Sequence, residues 1–369
     1  MRDSTDVLVI GGGPAGLAAA IAARQRGLRV VVADGAKPPI DKACGEALLP
    51  DAIAALGQLG VAVPAAEAWA IRGVRFLSSG ESAEAKFPSG YYGLSVRRTV
   101  LHQIMAERAA DLGVDLLWQS VVTGISSDEV RLGDRCIRAR WIVGADGVNS
   151  RVRRWAELDA HSRTDQRYSF RQHYRVAPWT DRLEIYWSKH SQAYASAVSD
   201  DQVCVAVASR DSELRLEQAL TTFPELNARL RGAETSSAER GAVTANRKLR
   251  RVWRRNIALI GDASGTVDAI TGEGLGLSFR QAVVLARCLG SGNLARYQAA
   301  HRSLALRPLL MARLMLTLNG RPRFQQRIVR VFRERPDVFR RLLALHVGFP
   351  SPFRLALDGI TLGWDLLTA

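Results

Sequence analysis

The sequence predicts an α/β fold, α+β once the whole chain is counted, and three observations carry that prediction. The chain opens on an apolar strand, a glycine-rich turn and an Ala-rich helix, "DVLVIGGGPAGLAAAIAARQRG". Its middle, residues 166–250, alternates apolar and polar positions with the period of antiparallel strands. From residue 296 onward, Leu and Phe recur at helical spacing between prolines 308, 322, 336, 350 and 352, which are expected to punctuate short helices. With 369 residues, 47% of them apolar and 24% charged, the chain has globular composition and length for two or three packed units.

The first element, Asp6–Ile10, is a short apolar run of the kind buried in a parallel sheet. Gly11, Gly13 and Gly16, with Pro14 and Ala15 between the last two, then form G-x-G-x-x-G at the entry to a helix. Gly11 permits the tight turn, Gly13 lets a pyrophosphate approach the backbone, and Gly16 lets helix and strand pack closely. The helix N-terminus offers free N–H groups and partial positive charge to the phosphates. The next strand, "LRVVVAD", ends in Asp34, 18 positions past the last glycine, with Gly35 beside it. An acid there accepts hydrogen bonds from a ribose hydroxyl, which suits FAD or NAD and disfavours a phosphorylated ribose. This much reads as a Rossmann-like dinucleotide-binding unit.

Two later segments choose between the dinucleotides. In "RWIVGADGVNSRVRR" a strand, Trp141–Val143, runs into Asp146 and Gly147. In "NIALIGDASGTVDAITGEGLG" a strand ends at Gly261 and Asp262, and a glycine loop enters a long helix at Gly274, Leu275 and Gly276. A carboxylate at the end of a parallel strand can hold a polyol by charge-assisted hydrogen bonds. The ribityl chain of FAD is such a polyol, and NAD has none. The helix start near Gly274 would aim its N–H groups at negative charge on a bound ring.

The three motifs in this order resemble the para-hydroxybenzoate hydroxylase-like flavoproteins, a superfamily that includes aromatic hydroxylases and geranylgeranyl reductases. The resemblance implies bound FAD, with Asp262 on the ribityl chain and the Gly274–Gly276 turn at the reduced flavin's N1–C2=O. It implies cofactor contacts from Asp146 and Gly147, from Arg98 or its neighbour Arg97, from Val122 near the adenine, and from Lys42, Cys44 and Gly45 in "DKACGEALLP". Ala269 stands where many relatives carry proline.

The implied organisation is a discontinuous FAD-binding domain (1–70, 96–165 and 251–295), a substrate-binding sheet domain (71–95 and 166–250) and a C-terminal helical region (296–369). The sheet places Arg171, His173, Glu184, Tyr186 and Tyr194 as candidates for the substrate chamber. The leading functional expectation is an NAD(P)H-using monooxygenase that hydroxylates a small hydrophobic aromatic or polyketide-like substrate with O₂, through a flavin C4a-hydroperoxide. The alternative is saturation of an isoprenoid-type double bond. Cys44-Gly45 and the apolar C-terminal helices are similar to the reductase branch, whereas "AYASAV" (Ala193–Val198) lacks that branch's aromatic segment.

The formal net charge is +15, and the residues from His301 onward hold 12 Arg against 4 acids. No nucleic-acid-binding motif accompanies them, so the readings are a solvated helix face or a peripheral membrane contact through the basic C-terminal helices. Cys44, Cys136, Cys204 and Cys288 have neither metal-ligand nor disulfide-framework spacing, and no structural metal is expected. No spanning helix and no leader are read from the sequence, and the expected compartment is the cytoplasm.

Overall fold

The computed structural model describes residues 4–159, 161–318 and 320–349. The remainder of the expected C-terminal region, with Pro350 and Pro352, lies outside the described residues. The first sheet is built on five parallel strands in the order Ile257–Leu259, Arg135–Gly144, Ser4–Ile10, Val30–Ala33 and Asp115–Leu117. Their near-continuous apolar character follows from burial on both faces, and Val7, Leu8 and Val9 are fully buried. Helices Pro14–Arg24, Arg98–Asp111 and Gly274–Gly290 pack in the same core.

The order of these strands explains how distant motifs meet. The strands ending at Ile10, Gly144 and Leu259 are immediate neighbours and run parallel. Their glycine-rich loops therefore emerge side by side at one sheet edge, where α/β sheets bind ligands.

A second, nine-stranded sheet takes strands Gly73–Ser78 and Glu81–Lys86 together with those between His161 and Leu249. It is antiparallel except where Arg182–Trp187 runs alongside Gly73–Ser78. One face packs Tyr186, Val205 and Val207 against short helices Leu216–Leu220 and Pro224–Arg229. The other packs Phe76, Leu183, Ile185 and Trp187 against helices Pro322–Glu334 and Pro336–His346. Both faces of Arg182–Trp187 are thus covered, and all six residues are buried. The strand after the Asp262 turn, Gly265–Thr266, pairs with Lys248 and Arg247, so the first sheet's loop becomes an edge strand of the second.

Pro308 departs from its expected role. It lies inside one 25-residue helix, Leu294–Leu318, rather than ending a short one. Proline removes one backbone hydrogen bond, but Pro308 is buried, and packing along this helix sustains it across the break.

Candidate active site

One cavity of about 770 Å³ joins the two sheets. At its polar end Gly11, Gly13, Pro14, Ala15, Asp34 and Gly35 line the wall. Gly11 has φ +109°, and a Cβ there would lie 2.4 Å from the Ala145 carbonyl oxygen. A Cβ on Gly16 would lie 1.8 Å from the Gly11 oxygen, so Gly16 acts through packing and is not on the wall. Gly13 differs: its Cβ would meet nothing within 4 Å. Asp34 accepts hydrogen bonds from the Gly12 and Ala36 N–H groups at 2.6 and 2.7 Å. Beneath the loop, the fully buried His102 donates through Nε2 to the Gly12 carbonyl at 2.9 Å. Burial holds this imidazole below its usual pKa range, against the pull of that hydrogen bond.

The second and third motifs flank this loop. Asp146 lines the cavity, yet its carboxylate accepts from Ser150 Oγ and from the Arg151 and Val152 N–H groups at 2.5, 2.6 and 3.1 Å. It thereby fixes the start of helix Arg151–Trp155 and presents Gly147, also on the wall, at the turn. Arg153 binds the Val148 and Ala263 carbonyls at 3.0 and 3.1 Å, tying the second motif to the third. Asp262 is half exposed at the mouth with Lys42 Nζ 3.3 Å away. Gly261, packed against Ala15, and Gly276, packed against Ala52, sit behind the wall, while Gly274 and Leu275 are on it. Arg98, Val122, Cys44 and Gly45 also line it.

The sequence reading did not single out Glu46, which organises the cavity's centre. It is 3% exposed with φ +60° and accepts from the Arg98 N–H at 2.9 Å and from His173 Nε2 at 2.6 Å. Arg171 stands 3.8 Å from the same carboxylate and binds Asp41. Burial opposes ionisation of Asp41, but Arg171 and Arg240 outweigh it and hold the carboxyl below its usual range. Glu46, His173 and Cys204 bring one ligand atom each within 4.8 Å of one another. The Arg171 guanidinium beside them opposes a bound cation, and the carboxylate is already committed to His173, so this donor set fits a structural network better than a metal.

Strand parity sorts the five chamber candidates. Ile185, Tyr194, Ala206 and Arg171 lie directly opposite one another across four strands, and all four line the cavity. Glu184 and Tyr186 point to the other face, because neighbouring residues on a strand alternate. There Glu184 accepts from Arg75, Trp179 and Tyr186 at 3.0, 2.7 and 2.6 Å. His173 shares the parity of Arg171 but is covered by Glu46. Arg171 and Tyr194 are therefore the candidates on the wall, while His173, Glu184 and Tyr186 lie off it and are held by other side chains.

Beyond Tyr194 the cavity becomes apolar, walled by Phe76, Leu183, Ile185, Trp187 and Phe332, with Met311 and Met315 from the long helix. His346 enters here, its Nε2 3.2 Å from the Thr271 carbonyl and its Nδ1 3.6 Å from Glu273 Oε2. Both facing atoms are buried without a hydrogen-bond partner. Burial raises the Glu273 pKa, against the pull of His346 and Arg307. Neither residue stood out in the sequence; the signal was a single Glu inside the glycine loop, "TGEGLG".

The FAD binding domain family matches residues 4–299. The chain belongs to this family. As a member it is an FAD-dependent oxidoreductase of the para-hydroxybenzoate hydroxylase-like kind. It is 28% identical over 320 residues to a menaquinone reductase of Mycobacterium tuberculosis, covering 80% of this chain and 78% of the relative. It is 28% identical over 299 residues to digeranylgeranylglycerophospholipid reductase 1 of Methanothermobacter thermautotrophicus, covering 74% of each. Among solved structures, a flavoprotein/dehydrogenase from Cytophaga hutchinsonii superposes with a TM-score of 0.84 at 19% identity, covering 99% of both chains.

The residues present fit the cofactor of the family. Gly13 leaves open space at the helix N-terminus, as a pyrophosphate seat requires. Asp34 and Asp262 line the same cavity, so one extended dinucleotide would reach both carboxylates. The Gly274 helix start opens onto the same space for the ring.

Proposed function

We propose that the protein saturates a carbon–carbon double bond in the isoprenoid chain of a lipid such as a quinone, with NAD(P)H as the reductant. The observation that carries this reading is the apolar part of the cavity, which adjoins the glycine-loop walls and is lined by Phe, Leu, Ile, Trp and Met side chains. A branched hydrocarbon chain would bury apolar surface along it, about 25 cal/mol per Å² removed from water. The names of the two reductase relatives support the same substrate class.

FAD, when bound, supplies hydride to one carbon of the double bond. The other carbon then needs a proton, and His346 is placed to hold it: its imidazole reaches the cavity between Thr271 and Glu273. The Glu273 carboxylate faces that imidazole and steadies it while it holds the proton; the proton passes to the second carbon and leaves a neutral imidazole beside the carboxylate. Tyr194 donates to the Ile270 carbonyl at 2.8 Å and fixes the loop that faces the ring. The covered walls keep water from the reacting carbons.

The test is anaerobic single turnover of FAD-loaded protein, reduced by NAD(P)H or by dithionite, with a polyprenyl quinone, read by mass spectrometry. The expected product has gained two hydrogens. A product carrying one added oxygen when air is admitted, from a phenol rather than the quinone, would replace this reading with aromatic hydroxylation.

A further inference from the structure

Helix Leu294–Leu318 carries no acidic residue, and its outward face is unusual for a protein surface. Leu306, Leu310 and Leu314 recur at four-residue spacing and are 59%, 53% and 41% exposed. Arg302, Ser303, Arg313 and Thr317 complete that same exposed face. Just beyond the helix, Phe324 is 37% exposed, with Arg321 and Arg323 exposed beside it in sequence. The side chains of Arg313, Arg321 and Arg323 make no ion pair or hydrogen bond among the described residues. Elsewhere in this region arginines are paired: Arg330 and Arg333 with Glu81, and Arg307 with Asp51 and Glu273.

The patch is continuous with the apolar part of the cavity. Leu314 and Phe324 are both exposed to solvent and part of the cavity wall, together with Met311, Met315 and Leu318 behind them. We infer that this face rests on an anionic lipid surface, with the leucines and Phe324 among the acyl chains and the arginines at the phosphates. Apolar side chains flanked by unpaired cations match a headgroup layer in both polarity and charge. Long arginine side chains can keep their guanidinium at the headgroups while their stems follow the leucines down. No helix among the described residues is long and apolar enough to cross a membrane. Because Leu314 and Phe324 belong to both the patch and the cavity wall, a lipid chain would enter between them, from bilayer to cavity, without crossing water. The inference rests on the proposed lipid substrate only for what enters there; the docking itself is measured without turnover.

The experiment is flotation of FAD-loaded protein with vesicles of phosphatidylcholine alone or mixed with phosphatidylglycerol. The probe variant is Leu306→Gln/Leu310→Gln, whose altered side chains lie on the patch but not on the cavity wall. Wild type should float with the mixed vesicles, less so as salt is raised, and the variant should bind at least about tenfold more weakly. Retained flavin and an unchanged melting temperature show that the variant is folded. Turnover of a short-chain, water-soluble quinone should then be unchanged, while turnover of a long-chain quinone in vesicles falls. Equal flotation of variant and wild type would overturn the inference. So would absence of wild-type flotation, or a wild-type dimer in solution that the variant abolishes, which would make the face a contact between copies. If flotation behaves as expected but no quinone is reduced, the proposed reaction fails and the docking surface stands.

Discussion

Replacing Gly13 by alanine separates holding the cofactor from holding the fold. The protein offers no atom within 4 Å of the added Cβ, and Gly13 has φ −68° and ψ 175°, a conformation any residue adopts. Alanine is a poorer N-cap than glycine by less than about 1 kcal/mol. The lost freedom of the unfolded chain returns about 0.4–1 kcal/mol. The two nearly cancel, so the stability of the flavin-free protein should change by no more than about 0.5 kcal/mol. The same methyl group projects where the pyrophosphate must approach the helix start. An overlap of that kind costs about 1–3 kcal/mol, which weakens FAD by about 5- to 150-fold. The assay pairs urea denaturation of stripped protein with a flavin fluorescence titration. Gly11→Ala is the contrast: its φ of +109° and the 2.4 Å approach to the Ala145 oxygen should lower stability and flavin affinity together. The reasoning is refuted if Gly13→Ala binds FAD as tightly as wild type, or if it unfolds as readily as Gly11→Ala.

Ile185→Trp, in the apolar part of the cavity, should retain flavin while sharply reducing turnover of long isoprenoid chains relative to short ones; a uniform loss at every chain length would argue against that part as the chain's seat. His346→Gln should lower the rate of double-bond reduction by about 10²- to 10⁴-fold, the usual contribution of a positioned proton donor, while reduction of the bound flavin by NAD(P)H keeps its wild-type rate. An unchanged rate of double-bond reduction would show that the proton comes from elsewhere. Burial, aided by Arg302, depresses the His301 pKa to about 4. The unfolded chain therefore takes up this proton first, and stability falls as pH drops below the ordinary histidine range. One such group should cost about 2 kcal/mol between roughly pH 7 and pH 5, and His301→Gln should flatten that slope in urea melts at the two pH values.

The cofactor end was the legible part of the sequence, because a turn that must touch a ligand's backbone-sized neighbour leaves glycines at fixed offsets. Gly11, Gly13 and Gly16 each had a separate steric reason, and two of those reasons are visible as distances of 2.4 and 1.8 Å. Asp34 and Asp262 were legible as acids that end parallel strands. The substrate end was harder. Arg171 and Tyr194 share a face with Ile185, whereas Glu184 and Tyr186 stand one residue out of step. A strand buried on both faces gives no polar side to mark which parity looks inward. Glu46 and His346 were missed for another reason. Each is defined by partners more than fifty positions away, Arg98 and His173 for one and Thr271 and Glu273 for the other. No local pattern records such meetings. Pro308 was misread because a helix's tolerance of proline depends on its neighbours rather than its own residues.

The short strand Gly265–Thr266 has a bearing on how this molecule could be re-engineered. Its ladder bonds to Arg247 and Lys248 make the turn that presents Asp262 part of the neighbouring sheet's hem. At Gly265 the backbone comes so close to the Arg247 carbonyl that a side chain would stand 2.7 Å from it. A graft of a foreign substrate sheet that stops at the apparent domain boundary would cut this seam and set the Asp262 carboxylate adrift. The transferable module is therefore larger than the sheet: it runs through Arg240–Leu249 to Thr266, and a chimera should keep that stretch from a single parent.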